Sequence, residues 1–156
     1  MDATVDIVEF VLGGERYALD IQLAREIVEM IPITPIPRAP SFISGVINLR
    51  GEITNIMNLT TLLGLPGQEI RPNQKIIVLV PEAAAGSNVG IIVDEVLGVM
   101  QVARADIEHL GEGLASEVSG FVKGIIKQKS DTSEKPGTGL IIWIDMQKML
   151  EDVAKK

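Results

Sequence analysis

The chain of 156 residues has no cysteine and a single histidine, His109. Without cysteine there are no disulfides and no thiolate metal sites, which fits a reducing compartment. A zinc centre needs several His or Cys ligands, and the composition does not supply them. A Ser–His–acid triad would have to use His109, which lies in the polar stretch 106–113 and reads as a solvated loop residue. Aromatic residues make up only 3% of the chain, so the core has to be aliphatic. No apolar run approaches the roughly 18 residues that span a bilayer. The first six residues lack the basic-then-apolar order of a secretory signal. Positive charge is scarce too: the formal net charge is −7. Residues 1–35 hold Asp2, Asp6, Glu9, Glu15, Asp20, Glu26 and Glu29 against only Arg16 and Arg25. A nucleic-acid surface wants clustered Lys and Arg, so this balance argues against one.

Apolar residues, by contrast, are plentiful. AVILMFWYC types reach 46%, with 15 glycines besides, more than an average globular domain carries. Such a surplus either fills a core or coats a partner surface, and composition leaves both open. The length suits one domain, or two small halves sharing a core.

The pattern along the chain is of short strands punctuated by glycine. Residues 5–12 and 15–20 form a hairpin around Gly13-Gly14, and the first strand is apolar on both faces. Asp20 is placed to cap a short helix over 21–28, with Ile21, Ala24, Ile27 and Val28 at helical spacing. Pro32, Pro35, Pro37 and Pro40 then force residues 29–40 into an edge strand or wrapping segment. The stretch 44–53 follows, and then a strand over 54–59. One helical turn comes next at 60–64, with Thr60 as cap, Gly64 as stop and Pro66 behind it. A polar connector over 67–73 separates the halves. Further strands are expected at 75–80, 89–96, 98–102, 121–128 and 139–144, with loops over 83–88 and 130–138. Asp145 caps a final helix whose Met146, Met149, Leu150 and Val153 make one apolar stripe, expected to pack on the chain's own strands. The expected fold is mainly β, in small barrels rather than a doubly wound sheet. No internal repeat is apparent in the sequence.

The inventory for chemistry is thin. Asp94 and Glu95 are adjacent in an expected strand and so face opposite ways, which excludes an acid/base pair. Gly13-Gly14 lacks the loop and following helix that cradle phosphate. Lys123, Lys127 and Lys129 form a mild basic run, with Lys127 and Lys129 on one face, and read as a solvated edge. No metal or cofactor is expected, and the chain reads as a non-enzyme.

One stretch stands out, Ser44-Gly45-Val46-Ile47-Asn48-Leu49-Arg50-Gly51-Glu52-Ile53. If Arg50-Gly51 were a two-residue loop, Leu49 would face Glu52 and Asn48 would face Ile53, mixing polar with apolar. If Leu49-Arg50 centre a type I turn with Gly51 as a left-handed bulge, Asn48 faces Glu52 and Ile47 faces Ile53. The second register matches polarity on both faces and is the one expected. It would present Leu49 and Arg50 at an exposed tip.

Residues 40–51, Pro-Ser-Phe-Ile-Ser-Gly-Val-Ile-Asn-Leu-Arg-Gly, resemble the signature of the CheW chemotaxis coupling-protein family. Residues 10–20 resemble its first hairpin, Ala24-Arg25-Glu26-Ile27 its helix, and residues 90–99 its second-half strand motif. The likeness covers nearly the whole chain. It implies a single CheW-like domain over 1–156, with halves near 1–66 and 74–145 and a C-terminal amphipathic helix at 146–154. The implied fold is two SH3-like five-stranded β-barrels around a shared aliphatic core, with short helices. It implies a non-catalytic cytoplasmic adaptor, associated with membrane-bound receptor arrays but not inserted in the membrane. Its implied partners are the regulatory domain of the histidine kinase CheA and the cytoplasmic tips of methyl-accepting chemoreceptors. With no kinase or receiver module in the sequence, the chain reads as a stand-alone coupling protein. By position, Arg50, Leu49 and Gly45, with Ala24 and Glu26, would serve the receptor in a groove between the halves. Gly90, Val96 and Val99 would lie on or support the kinase surface. Two departures from the family pattern matter. Asn55 and Asn58 stand where Pro and Asp are common, and Ala24 stands where Val is common. The alternatives are a CheW-like adaptor of another system, such as pilus motility, or a small barrel binding nucleic acid or a small ligand.

Overall fold

The computed structural model describes residues 4–65, 70–84, 86–108, 121–127 and 139–154. Eleven strands and two α-helices lie among them: β1 (Thr4–Leu12), β2 (Glu15–Asp20), β3 (Ala24–Glu29), β4 (Ile43–Leu49), β5 (Glu52–Asn58), α1 (Leu59–Leu62), β6 (Lys75–Leu79), β7 (Val89–Val93), β8 (Glu95–Ala103), β9 (Ile107–Glu108), β10 (Val122–Lys127), β11 (Leu140–Ile144) and α2 (Met146–Ala154). The protein is mainly β, as its aliphatic, glycine-punctuated sequence requires.

Two compact units form, and they do not follow the sequential halves. The first joins Met1–Ile21 to Val96–Lys156; the second is Gln22–Glu95. The cause is pairing: β2 lies parallel to β11, with Tyr17 opposite Ile142, so the N-terminal hairpin belongs with the C-terminal strands. Hydrophobic pattern marks strands but does not say which distant strand each one meets.

In the first unit the sheet order is β8-β1-β2-β11-β10-β9. Every one of these strands contributes to one cluster: Val5, Ile7, Ala18, Val102, Ile107, Ile126, Ile141 and Trp143. A sheet whose strands all point side chains at one centre must curl around it. Its edge strands β8 and β9 are successive in the chain, linked only by the 3-10 turn Arg104–Asp106. The opposite face of β1 and β2 is buried as well, through the cross-strand pairs Phe10–Tyr17 and Val8–Leu19. The Phe10 and Tyr17 rings stack with centroids 6.0 Å apart.

The second unit repeats this arrangement, although no sequence repeat announces it. Its order is β3-β6-β7-β5-β4, with β5 parallel to β7. Ile47, Ile56, Ile76, Val78 and Ile92 form its centre, with Val28, Met30, Ile31, Ile33 and Leu49 packed against them. The continuation of β3 bridges back to β4: Thr34 N–H donates to the Val46 carbonyl at 2.8 Å, and Val46 N–H to the Thr34 carbonyl at 2.9 Å. Counted with its bent edge strand as one, each unit is five-stranded in the SH3-like manner.

The expected helix over 21–28 does not form. A 3-10 turn spans Ile21–Leu23, and residues 24–29 are strand β3, antiparallel to β6. Burial alternates along β3, with Ala24, Glu26 and Val28 half-buried and Arg25, Ile27 and Glu29 exposed. The helical spacing of Ile21, Ala24, Ile27 and Val28 was coincidence, and pairing with β6 overrode it. Asp20 therefore caps no helix. It accepts a hydrogen bond from Trp143 Nε1 at 2.6 Å and an ion pair from Lys123 at 3.0 Å. Lys123 also sits 4.5 Å from the Trp143 ring centre, so it is no solvated edge lysine. Lys127 pairs with Glu108, while Lys129 falls outside the described residues.

The strand expected over 89–96 ends earlier. Asp94 occupies a bend between β7 and β8, accepting from Arg71 and Gln74 at 3.0 Å each. The helical turn near 60 forms, but Asn58 is its cap, with its Oδ1 accepting from Thr61 N–H. That gives one departure from the family pattern a structural use. Asp145 caps α2 as expected, its Oδ1 accepting from Lys148 N–H at 3.0 Å. Met146, Met149 and Leu150 on that helix are buried.

Candidate interaction site

The β4–β5 hairpin turns through Arg50 and Gly51, both at positive φ, 53° and 89°. This two-residue turn matches the twist of its strands and needs left-handed backbone at both positions. Asn48 secures it, its Oδ1 accepting from Gly51 N–H at 2.8 Å. The register is Leu49 opposite Glu52, Asn48 opposite Ile53 and Ile47 opposite Thr54. The expected bulge register is therefore wrong. Polarity matching failed because Ile53 points outward, 61% exposed, while Thr54 is buried beside Ile47.

The turn separates two residues expected to act together. Leu49 is half-buried and packs against the core of the second unit, so it is not presented. Arg50 is presented, with 61% of its side chain exposed, and its guanidinium donates to Glu26 of β3. Glu26 sits in β3 beside a bulge: Ala24 pairs with Leu79 and Glu26 with Val78, leaving Arg25 as the extra residue. Arg25 approaches Glu52 at 3.9 Å and Glu26 at 4.0 Å. Asn88 donates to Glu52 at 3.2 Å. Arg25, Glu52 and Asn88 are members of this network that sequence reasoning did not single out.

The hydrogen bond from Arg50, aided by the charges of Arg50 and Arg25, holds the Glu26 carboxyl below the ordinary glutamate range despite some desolvation. The same bond pushes the Arg50 guanidinium up. So exposed an ion pair adds little to stability. Its effect is to fix the direction of a side chain that would otherwise sample many rotamers.

Two glycines serve the scaffold. A Cβ on Gly45 would lie 2.3 Å from the Thr34 carbonyl oxygen and 2.7 Å from Ile33 Cγ2, at a φ of 147°. Only glycine lets β4 pass so close to the wrapping segment. Gly90 is buried in β7, where a Cβ would meet Ile76 Cγ2 at 2.8 Å and Ile56 Cδ1 at 3.1 Å. It packs a core and presents no surface. Val96 and Val99 belong to the first unit, on β8; Val96 is half-buried and Val99 is 63% exposed. Arg50, Glu26 and Ala24 thus lie in the second unit, and the exposed valine on another element. No group of three or more His, Asp or Glu among the described residues is placed to hold a metal ion.

A family model described as a CheW-like domain matches residues 6–154. The chemotaxis protein CheW of Thermotoga maritima is 29% identical over 153 residues, covering 97% of this chain and 91% of its own. Protein FrzA of Myxococcus xanthus is 34% identical over 111 residues, 69% of this chain and 67% of its own. The crystal structure of the scaffolding protein TtCheW from Thermoanaerobacter tengcongensis superposes with a TM-score of 0.72 at 33% identity. It covers 92% of this chain and 86% of that one.

Proposed function

We propose a coupling function from the premise that the chain belongs to the CheW family. The chain is a chemotaxis coupling adaptor, a scaffold that acts by holding partners rather than by catalysing a reaction. Its partners in this reading are the regulatory domain of the histidine kinase CheA and the cytoplasmic tips of methyl-accepting receptors. It works in the cytoplasm beside membrane-bound receptor arrays. Among its described residues no helix is long and apolar enough to cross a membrane.

The observation that carries the reading is Arg50. A guanidinium stands at the tip of a rigid two-residue turn, aimed by Glu26, and remains mostly exposed. Such a group costs little entropy when a partner engages it. The receptor contact is therefore assigned to Arg50, Glu26 and the neighbouring Ala24. Leu49 and Gly45 hold that element in place from beneath. On the first unit the exposed Val99, with Val96, offers the apolar centre that a kinase contact wants, and Gly90 supports the second unit from inside.

The test is binding of a receptor cytoplasmic fragment and of the kinase regulatory domain to wild type and Arg50→Ala. The variant should keep the wild-type melting curve and bind the receptor fragment roughly tenfold more weakly, which is about 1.4 kcal/mol of binding free energy. Unchanged receptor affinity sinks the role of Arg50, and binding of wild type to neither partner sinks the coupling reading. The same adaptor chemistry in another chemosensory system is the second reading. Receptors and kinases of the two systems, tested side by side, separate the readings.

A further inference from the structure

The described residues contain two arginines at positive φ, Arg50 and Arg38 (φ 63°). A bulky residue in left-handed backbone is strained, and such strain clusters where function uses it. Arg50 is paired with Glu26. Arg38 is exposed and has no side-chain partner among the described residues.

Arg38 sits in Pro35-Ile36-Pro37-Arg38-Ala39-Pro40. Ala39 N–H donates to the Ile36 carbonyl at 3.2 Å, closing a turn with Pro37 and Arg38 at its centre. Proline suits the first central position of such a turn, whereas the second, at positive φ, ordinarily takes glycine. The segment is anchored on both sides, by the Thr34–Val46 bridge and by Ile43 N–H donating to the Pro40 carbonyl at 2.9 Å. Three prolines and two anchors leave little disorder to lose on binding. Ile36, next to the turn centre, is 41% exposed. The tip thus displays an aliphatic side chain and an uncompensated guanidinium on stiff backbone. That pairing fits a carboxylate-bearing side chain set in an apolar surface.

We propose that this proline-braced tip is a second protein-contact point of the adaptor, seating a carboxylate of the kinase regulatory domain. The assignment rests on the coupling reading above. The tip leads into the start of β4, whereas Arg50 follows its end. Seven strand residues at about 3.3 Å each put roughly 20 Å between those ends. A receptor fragment seated at Arg50 need not reach Arg38, which leaves the tip to the other partner.

Arg38→Gly provides the test, because it removes the guanidinium and relieves the backbone at once. The variant should melt at or above the wild-type temperature. It should bind the kinase regulatory domain roughly three- to tenfold more weakly, with less salt dependence. It should bind the receptor fragment as wild type does, the reverse of Arg50→Ala. Ile36→Ser should also weaken kinase binding. Wild-type kinase affinity in Arg38→Gly overturns the proposal while leaving the coupling reading intact. If the wild-type chain binds neither partner, both fall together.

Discussion

Replacing Gly45 by alanine distinguishes a scaffold glycine from a partner contact, and the geometry sets the size of the effect. A φ of 147° is outside what an L side chain adopts comfortably, which costs about 1–3 kcal/mol. The new Cβ would overlap the Thr34 carbonyl oxygen at 2.3 Å and Ile33 Cγ2 at 2.7 Å. A backbone atom cannot swing away as a side-chain tip can, so residues 33–34 must move. That displacement breaks the two hydrogen bonds between Thr34 and Val46, about 1 kcal/mol each. It also loosens Ile33 from the second unit's core. Together these terms predict a loss of about 3–6 kcal/mol, a large part of the 5–15 kcal/mol typical of a domain. Urea denaturation followed by far-UV circular dichroism would measure it. Gly51→Ala is the control: its φ is 89°, but the added Cβ meets nothing within 4 Å, so it should lose only the strain term. A Gly45→Ala loss below about 1 kcal/mol would refute this account. So would a fully stable variant that no longer binds receptor, which would return Gly45 to the contact surface.

Three further outcomes can be checked. In an NMR titration the Glu26 carboxyl should titrate below ordinary glutamate, and Arg50→Ala should move it back up, since Arg50 is the main cause of the depression. Because the folded pKa is the lowered one, this pair's share of stability is present above the unfolded pKa and lost as pH falls through the folded value. Trp143→Phe should cost about 2 kcal/mol in chemical denaturation, as the indole N–H no longer reaches Asp20 and a charge-assisted bond is lost. Asn58→Ala should cost about 1 kcal/mol by removing the cap of α1, while Asn58→Asp should be nearly neutral.

The parts of the fold that came directly from the residues are those governed by near neighbours. The β1–β2 hairpin follows from Gly13-Gly14 between two apolar runs, and its register places Leu12 opposite Glu15. The cap at Asp145 and the stripe of α2 follow from three- and four-residue spacing. The aliphatic core follows from the shortage of aromatics. For the candidate site, exposure of Arg50 at a hairpin tip was legible, and so was the need for glycine at position 51. The turn itself was misjudged by matching polarity across strands. That rule assumes that exposed positions are polar, and Ile53 breaks it. A helix was expected over 21–28 because helical spacing was present in a segment too short for spacing to outweigh strand pairing.

What the sequence determined alone was local: where the chain must turn, where it is stiffened by proline, and that its interior is built mostly of Ile, Val, Leu and Met. What only the tertiary structure decided was pairing at a distance. It set β2 beside β11, made residues 24–29 an edge strand, and brought Glu26 to Arg50 across 24 residues. The physical reason is that hydrophobic burial is nondirectional. Any apolar strand satisfies any other, and the choice falls to twist, closure and the few close approaches, such as Gly45 under Thr34, that only one arrangement permits.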